Sequence, residues 1–84
     1  NINDNENSIT TFVNPLSKNI MINGKESMRI SNLQVTDISS KLVYSKKEVF
    51  LPTTINVDFL NPGIYIITMN TINGGKVTKK LILP

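Results

Sequence analysis

Nowhere in this chain do apolar residues recur at helical spacing long enough to hold a helix. Short apolar or alternating runs, punctuated by turn residues, take their place. Residues 9–13 (ITTFV) stop at Asn14-Pro15. Residues 19–22 (NIMI) stop at Asn23-Gly24, a tight-turn pair because both residues tolerate positive φ. Residues 27–30 and 33–38 alternate apolar and polar, and 41–49 follows a Ser39-Ser40 turn. Pro52 breaks the next stretch. Residues 54–59 then put Ile55, Val57 and Phe59 on one face and Asn56 and Asp58 on the other. Asn61-Pro62-Gly63 forms a turn, and residues 64–69 (IYIITM) are apolar on both faces, as in a central strand covered on both sides. Asn73-Gly74, with Gly75 beside it, is a second hairpin signal. Residues 76–83 set Val77, Lys79, Leu81 and Leu83 against Thr78, Lys80 and Ile82. About seven short strands at regular spacing predict an all-β, immunoglobulin-like antiparallel β-sandwich. A small open barrel is the alternative.

At 84 residues the chain is one small domain, which buries only about 60% of its unfolded surface. Its apolar content is too high for a disordered chain. Residues 1–8 (NINDNENS) are polar and aromatic-free and read as a linker, leaving residues 9–84 as the domain. The alternating Asn and acids in 1–8 are like the start of a calcium loop, but the glycine and closing glutamate of such a loop are missing. A solvated tail is the simpler reading. The first residue is Asn1 and not Met, so the chain is expected to be part of a longer precursor. No apolar run approaches the roughly 18 residues of a membrane span, so stable membrane insertion is not expected. No secretory leader is visible either.

The absence of histidine removes the commonest general base and metal ligand, and the absence of cysteine removes thiol chemistry. The carboxylates after residue 8 are Glu26, Asp37, Glu48 and Asp58, each in a separate run. No phosphate-cradling loop is present, since Asn73-Gly74-Gly75-Lys76 lacks the P-loop spacing. Neither enzymatic activity nor a cofactor is expected. Beyond residue 8, nine bases face four acids, and eight of the nine are lysine. Nucleic-acid sites favour arginine forks and exposed aromatics. Here Phe12, Tyr44, Phe50, Phe59 and Tyr65 all fall in apolar runs, where core packing is the expected role. No nucleic-acid partner is expected.

Two lysine pairs remain, Lys46-Lys47 and Lys79-Lys80. Strand neighbours point to opposite faces, so each pair sends one lysine each way. One reading is solubility and protection of an edge strand. The other is that Lys79 and Lys80, just before Leu81-Ile82-Leu83, mark the terminal strand for a partner, since edge strands accept further strands through unpaired backbone groups. An exposed terminal edge would also allow strand-paired dimers in a crystal.

The order of these motifs resembles the C-terminal sorting domain of type IX secretion substrates of Bacteroidetes. The resemblance runs through FVNP (12–15), IMI (20–22), LQVTDISSKLV (33–43) with Asp37 and Lys41 in matching places, INVDFLNPGIYII (55–67), GGK (74–76) and KKLIL (79–83). Three departures stand out. Ser40 replaces the usual glycine before Lys41; a positive φ there would cost about 1 kcal/mol, so a turn of different type is expected. Thr36 replaces a frequent aromatic, and the chain closes on Pro84.

The resemblance implies a transport label. It would be recognised in the periplasm, carry an upstream cargo domain of the same precursor through the outer-membrane translocon, and then be removed by a surface sortase upstream of the sandwich. The cargo would end at the outer-membrane surface or outside the cell. It further implies that Pro62, Gly63 and Tyr65 shape the central strand, and that Gly75, Lys76, Lys79, Lys80, Leu81 and Ile82 form the terminal signal. Two readings compete with it. An adhesive or carbohydrate-binding module would need exposed aromatics lining a face or cleft. An inert spacer would have no use for a Lys-Lys-Leu-Ile-Leu ending.

Overall fold

A computed structural model describes residues 9–24, 29–72 and 74–84. Seven strands are present among them: β1 (Thr10–Asn14), β2 (Asn19–Asn23), β3 (Arg29–Asp37), β4 (Leu42–Phe50), β5 (Thr53–Asn56), β6 (Gly63–Thr71) and β7 (Lys76–Leu83). They form a three-stranded sheet, β1-β2-β5, and a four-stranded sheet, β4-β3-β6-β7. All pairings are antiparallel. The division of strands between the sheets is that of an immunoglobulin-like sandwich, and the expected fold class holds.

The core follows from period-two alternation. Ile20, Ile22 and Ile55 of the smaller sheet face Ile30, Leu33, Val35, Tyr65, Ile67, Met69, Val77, Leu81 and Leu83 of the larger one, and all are buried. Burying each aliphatic side chain contributes about 1.5–3 kcal/mol relative to leaving it in water.

The expected boundaries shift for identifiable reasons. The runs at 27–30 and 33–38 belong to one strand, β3; residues 27 and 28 lie outside the described residues. The β3–β6 register slips by one residue between Ile30 and Asn32. This bulge lets Ile30 and Leu33, three apart, both enter the core. The Ser31 hydroxyl at the slip donates to the Asn70 carbonyl at 3.0 Å. Asn23-Gly24 does not close a hairpin, because β2 and β3 belong to different sheets. Strand β5 ends at Asn56. Val57 is still buried, but Phe59 has turned outward to lie against Tyr44, ring centroids 6.4 Å apart.

The expectation that the aromatics pack in the core holds only for Tyr65, which is buried, and Tyr44, which is half-buried against it. Phe12, Phe50 and Phe59 are 59%, 61% and 58% exposed. Nor is β6 covered on both sides. It is central within its sheet, yet Ile64 is exposed and Ile66 half-buried, because none of the described residues forms a layer over that outer face. The fourth strand of the larger sheet also overhangs the three-stranded one. Lys46 pairs with buried Leu33 and so lies on the core-facing side of β4, yet it is exposed.

Candidate functional site

The β6–β7 ribbon carries most of the expected signal residues, and its loop fixes its register. Thr71 N–H donates to the Gly75 carbonyl at 2.8 Å and Gly74 N–H to the Thr71 carbonyl at 3.1 Å, while the Thr71 hydroxyl oxygen accepts from Gly75 N–H at 2.8 Å. Gly74 sits at φ 94°, a conformation that side-chain-bearing residues rarely adopt. Asn73, the other half of the expected hairpin pair, lies outside the described residues. From this loop the ladder runs without a slip from Asn70↔Lys76 to Gly63↔Leu83.

A regular antiparallel ladder assigns each backbone group a direction. Thr71 and Gly75 face each other as a hydrogen-bonded pair. Every second pair from there, Met69↔Val77, Ile67↔Lys79, Tyr65↔Leu81 and Gly63↔Leu83, is of the same kind. Val77, Lys79, Leu81 and Leu83 therefore turn their backbone toward β6 and their side chains toward the core. Lys76, Thr78, Lys80 and Ile82 turn their side chains outward and their N–H and C=O groups away from β6.

The burial of the individual signal residues follows that division. Leu81 is 4% exposed and belongs to the core, and Lys79 is half-buried on the same side. Ile82 is 65% exposed, with exposed Lys80 next to it on the same face and exposed Lys76 at the other end of the strand. Gly75 belongs to the loop. The chain segment 79–82 is thus two sets of residues, one packing the domain and one presented to solvent.

Pro62, Gly63 and Tyr65 build the corner that delivers β6. The Tyr65 hydroxyl donates to the Asn61 carbonyl at 2.7 Å, four residues upstream, as the tyrosine corner of immunoglobulin-like sandwiches does. Gly63 takes φ 154°, which lets the chain turn from the exposed Pro62 into the strand.

Sequence reasoning did not include Ile64, Ile66 and Leu42 in the site. Ile64 lies directly opposite Ile82 on the outer face, Ile66 opposite Lys80, and Leu42 joins them across Thr36. Together they make an apolar strip flanked by lysine. The glycine-marked loop would have placed Ile64 beside Ile82 had the hairpin register been worked out from it.

At the opposite end of the larger sheet from the β6–β7 loop, Asp37 closes the β3–β4 hairpin. Its Oδ1 accepts from Ser39 N–H and Lys41 N–H at 2.9 Å and from the Ser39 hydroxyl at 2.7 Å. The Ser39 hydroxyl, followed by the Lys41 amide, holds the carboxyl below its ordinary range, with desolvation opposing. Ser40 adopts φ 71°, so the turn keeps the positive-φ geometry in spite of the serine, contrary to expectation. The Asp37–Lys41 relationship is a loop closure made through the Lys41 backbone.

The exposed phenylalanines share no face. Phe12 lies on the outside of the smaller sheet opposite Met21, and Phe50 on the outside of the larger one beneath the Arg29 guanidinium, 5.6 Å from the ring centroid. Phe59 is against Tyr44. The cleft between Val13, Lys18, Val57, Leu60, Leu83 and Pro84 opens to solvent and holds only about 10 Å³, roughly the space of one water and far below the few hundred Å³ of a ligand pocket. The calcium-like spacing in residues 1–8 lies outside the described residues.

A family model described as "Secretion system C-terminal sorting domain" matches residues 10–84. No curated protein matches the chain.

Proposed function

The chain belongs to the family of secretion-system C-terminal sorting domains, those of the type IX system, and from that premise we propose that the outward side of its β6–β7 ribbon is what the outer-membrane translocon recognises. Membership implies a cargo in the same precursor, handled by the type IX machinery and delivered to the cell surface or beyond it.

The observation that carries this reading is the position of β7. Among the described residues it ends a sheet, pairs with β6 alone, and presents Lys76, Thr78, Lys80 and Ile82 to solvent. A label must be legible from outside and must fold whatever precedes it. The core half of the terminal strand serves the second need and the outward half the first. The label is non-catalytic and acts after the precursor has entered the periplasm. A surface sortase then cuts upstream of the sandwich, in or before residues 1–8, and the cargo is anchored or released. Among the named residues, Lys76, Lys80 and Ile82 are contacts, Lys79 and Leu81 hold the strand, and Pro62, Gly63, Tyr65 and Gly75 set its path.

The test is a periplasmic reporter fused to residues 1–84, with and without residues 75–84, in a host carrying the type IX machinery. The intact fusion is expected at the surface or in the medium and the shortened one in the periplasm. Equal export of both would refute recognition through the terminal ribbon.

A further inference from the structure

We infer that the partner engages this domain by adding an extended, acid-bearing strand to the free edge of β7, an inference that rests on the ribbon being the recognised element.

The four sheet edges are not equivalent. Strand β4 is nine residues long, but its pairing with β3 slips between Val35 and Thr36, Glu48 sits at φ 55°, and Lys46 points a charge inward. Each of these features obstructs a further strand. Strand β5 has four residues. Strand β1 has five and is followed at once by Pro15. Strand β7 has eight residues in unbroken register. Strand β1 touches it from the facing sheet but shares no ladder with it. Among the described residues it is the one long regular edge.

Its free backbone groups are those of Lys76, Thr78, Lys80 and Ile82, the residues whose side chains also face outward. An added strand would therefore bond the backbone of the same residues whose side chains border it on the outer face. Those side chains set its chemistry. Strands β6 and β7 contain no acid, and Asp37 and Glu48 are engaged elsewhere, in the β3–β4 loop and with Arg29 at 3.5 Å. Acidic side chains beside Lys76 and Lys80, with an apolar one beside Ile82, complement this edge. A second copy of the chain does not, since it would set a strand holding Lys76, Lys79 and Lys80 and no acid against the same three lysines.

Thr78→Pro removes one outward N–H and leaves the β6 ladder and the neighbouring side chains in place, since proline is tolerated where an edge N–H faces solvent. Reporter fusions carrying Thr78→Pro, the double change Lys76→Glu/Lys80→Glu, or lacking residues 76–84 are compared for export. Folding is checked by the thermal melt of each purified domain. Expected are a folded Thr78→Pro domain and a folded double-glutamate domain, both exported no better than the deletion. A folded Thr78→Pro domain exported like the parent overturns strand addition and leaves the sorting role standing, provided that the deletion is retained in the periplasm. Export of the deletion overturns the underlying reading instead. Normal export of the double-glutamate domain removes the acidic partner, and self-association abolished by Thr78→Pro identifies a second copy as the occupant and overturns the inference. Should Thr78→Pro fail to fold, hydrogen exchange on the unaltered precursor arrested in the translocon decides: slowed exchange of the Thr78 and Lys80 amides supports the added strand, and unchanged exchange overturns it.

Discussion

Ser40 and Gly74 hold the same place in two hairpin loops built on one hydrogen-bond scheme. In each, the first loop-closing residue donates its N–H to the carbonyl four residues on: Asp37 to Lys41 at 2.9 Å, and Thr71 to Gly75 at 2.8 Å. In each, the same residue's carbonyl accepts from the N–H three residues on, that of Ser40 or Gly74. In each, its side-chain oxygen accepts the N–H of the fourth residue. The positive φ that the scheme demands is 71° at Ser40 and 94° at Gly74.

One loop thus carries the residue suited to its conformation and the other does not. Ser40→Gly is expected to stabilise the domain by about 1 kcal/mol, seen as a rise in melting temperature of roughly 4–8 °C. Gly74→Ala should lower stability by about 1–2 kcal/mol. The added Cβ would meet nothing within 4 Å, so the cost is in the backbone alone. Opposite signs for the two substitutions are the check.

Asp37 gives the β3–β4 loop a pH dependence. Its folded carboxyl titrates below the ordinary aspartate range, so its contribution is complete above that range and is lost as pH falls through the depressed folded value. At neutral pH the parent should melt above the Asp37→Asn variant. The gap should close as pH falls below the ordinary aspartate value of about 3.9. Melts of both proteins across that range measure it, and a gap constant with pH would contradict the assignment.

Leu81 and Ile82 are neighbours with separable roles. Leu81→Ala empties a core position and should cost about 2–5 kcal/mol, a large part of the stability expected for a domain of this size. Ile82→Ser changes an exposed side chain and should alter stability by no more than about 0.5 kcal/mol, while reducing export of a fused reporter. Denaturant melts read alongside export separate packing from recognition. Equal destabilisation by the two changes would contradict the division of the strand.

Tyr65 anchors the corner before β6 through its hydroxyl. Tyr65→Phe keeps the buried ring and loses the bond to the Asn61 carbonyl, at a cost of about 1 kcal/mol. Export should persist once the variant is folded, because the ring faces the core. Loss of export by a folded Tyr65→Phe domain would make Tyr65 part of the recognised surface.

The sequence by itself determined that this chain is all β, where nearly every strand lies, and which residues of 76–83 share a face. Two-residue alternation is a local property, and it survives unchanged where the register is unbroken. The motif order also pointed to the family that the match over residues 10–84 establishes. Only the tertiary structure decided that β7 ends a sheet, that Phe12, Phe50 and Phe59 lie outside, and that the bulge at Ser31 joins two apparent strands into one. Those outcomes depend on how seven strands divide into sheets of three and four, so that an apolar face is covered in one place and left bare in another. The conformation of Ser40 is of the same kind. Paired strands on either side hold it at a positive φ that serine would not choose alone, and local propensity gave no sign of that.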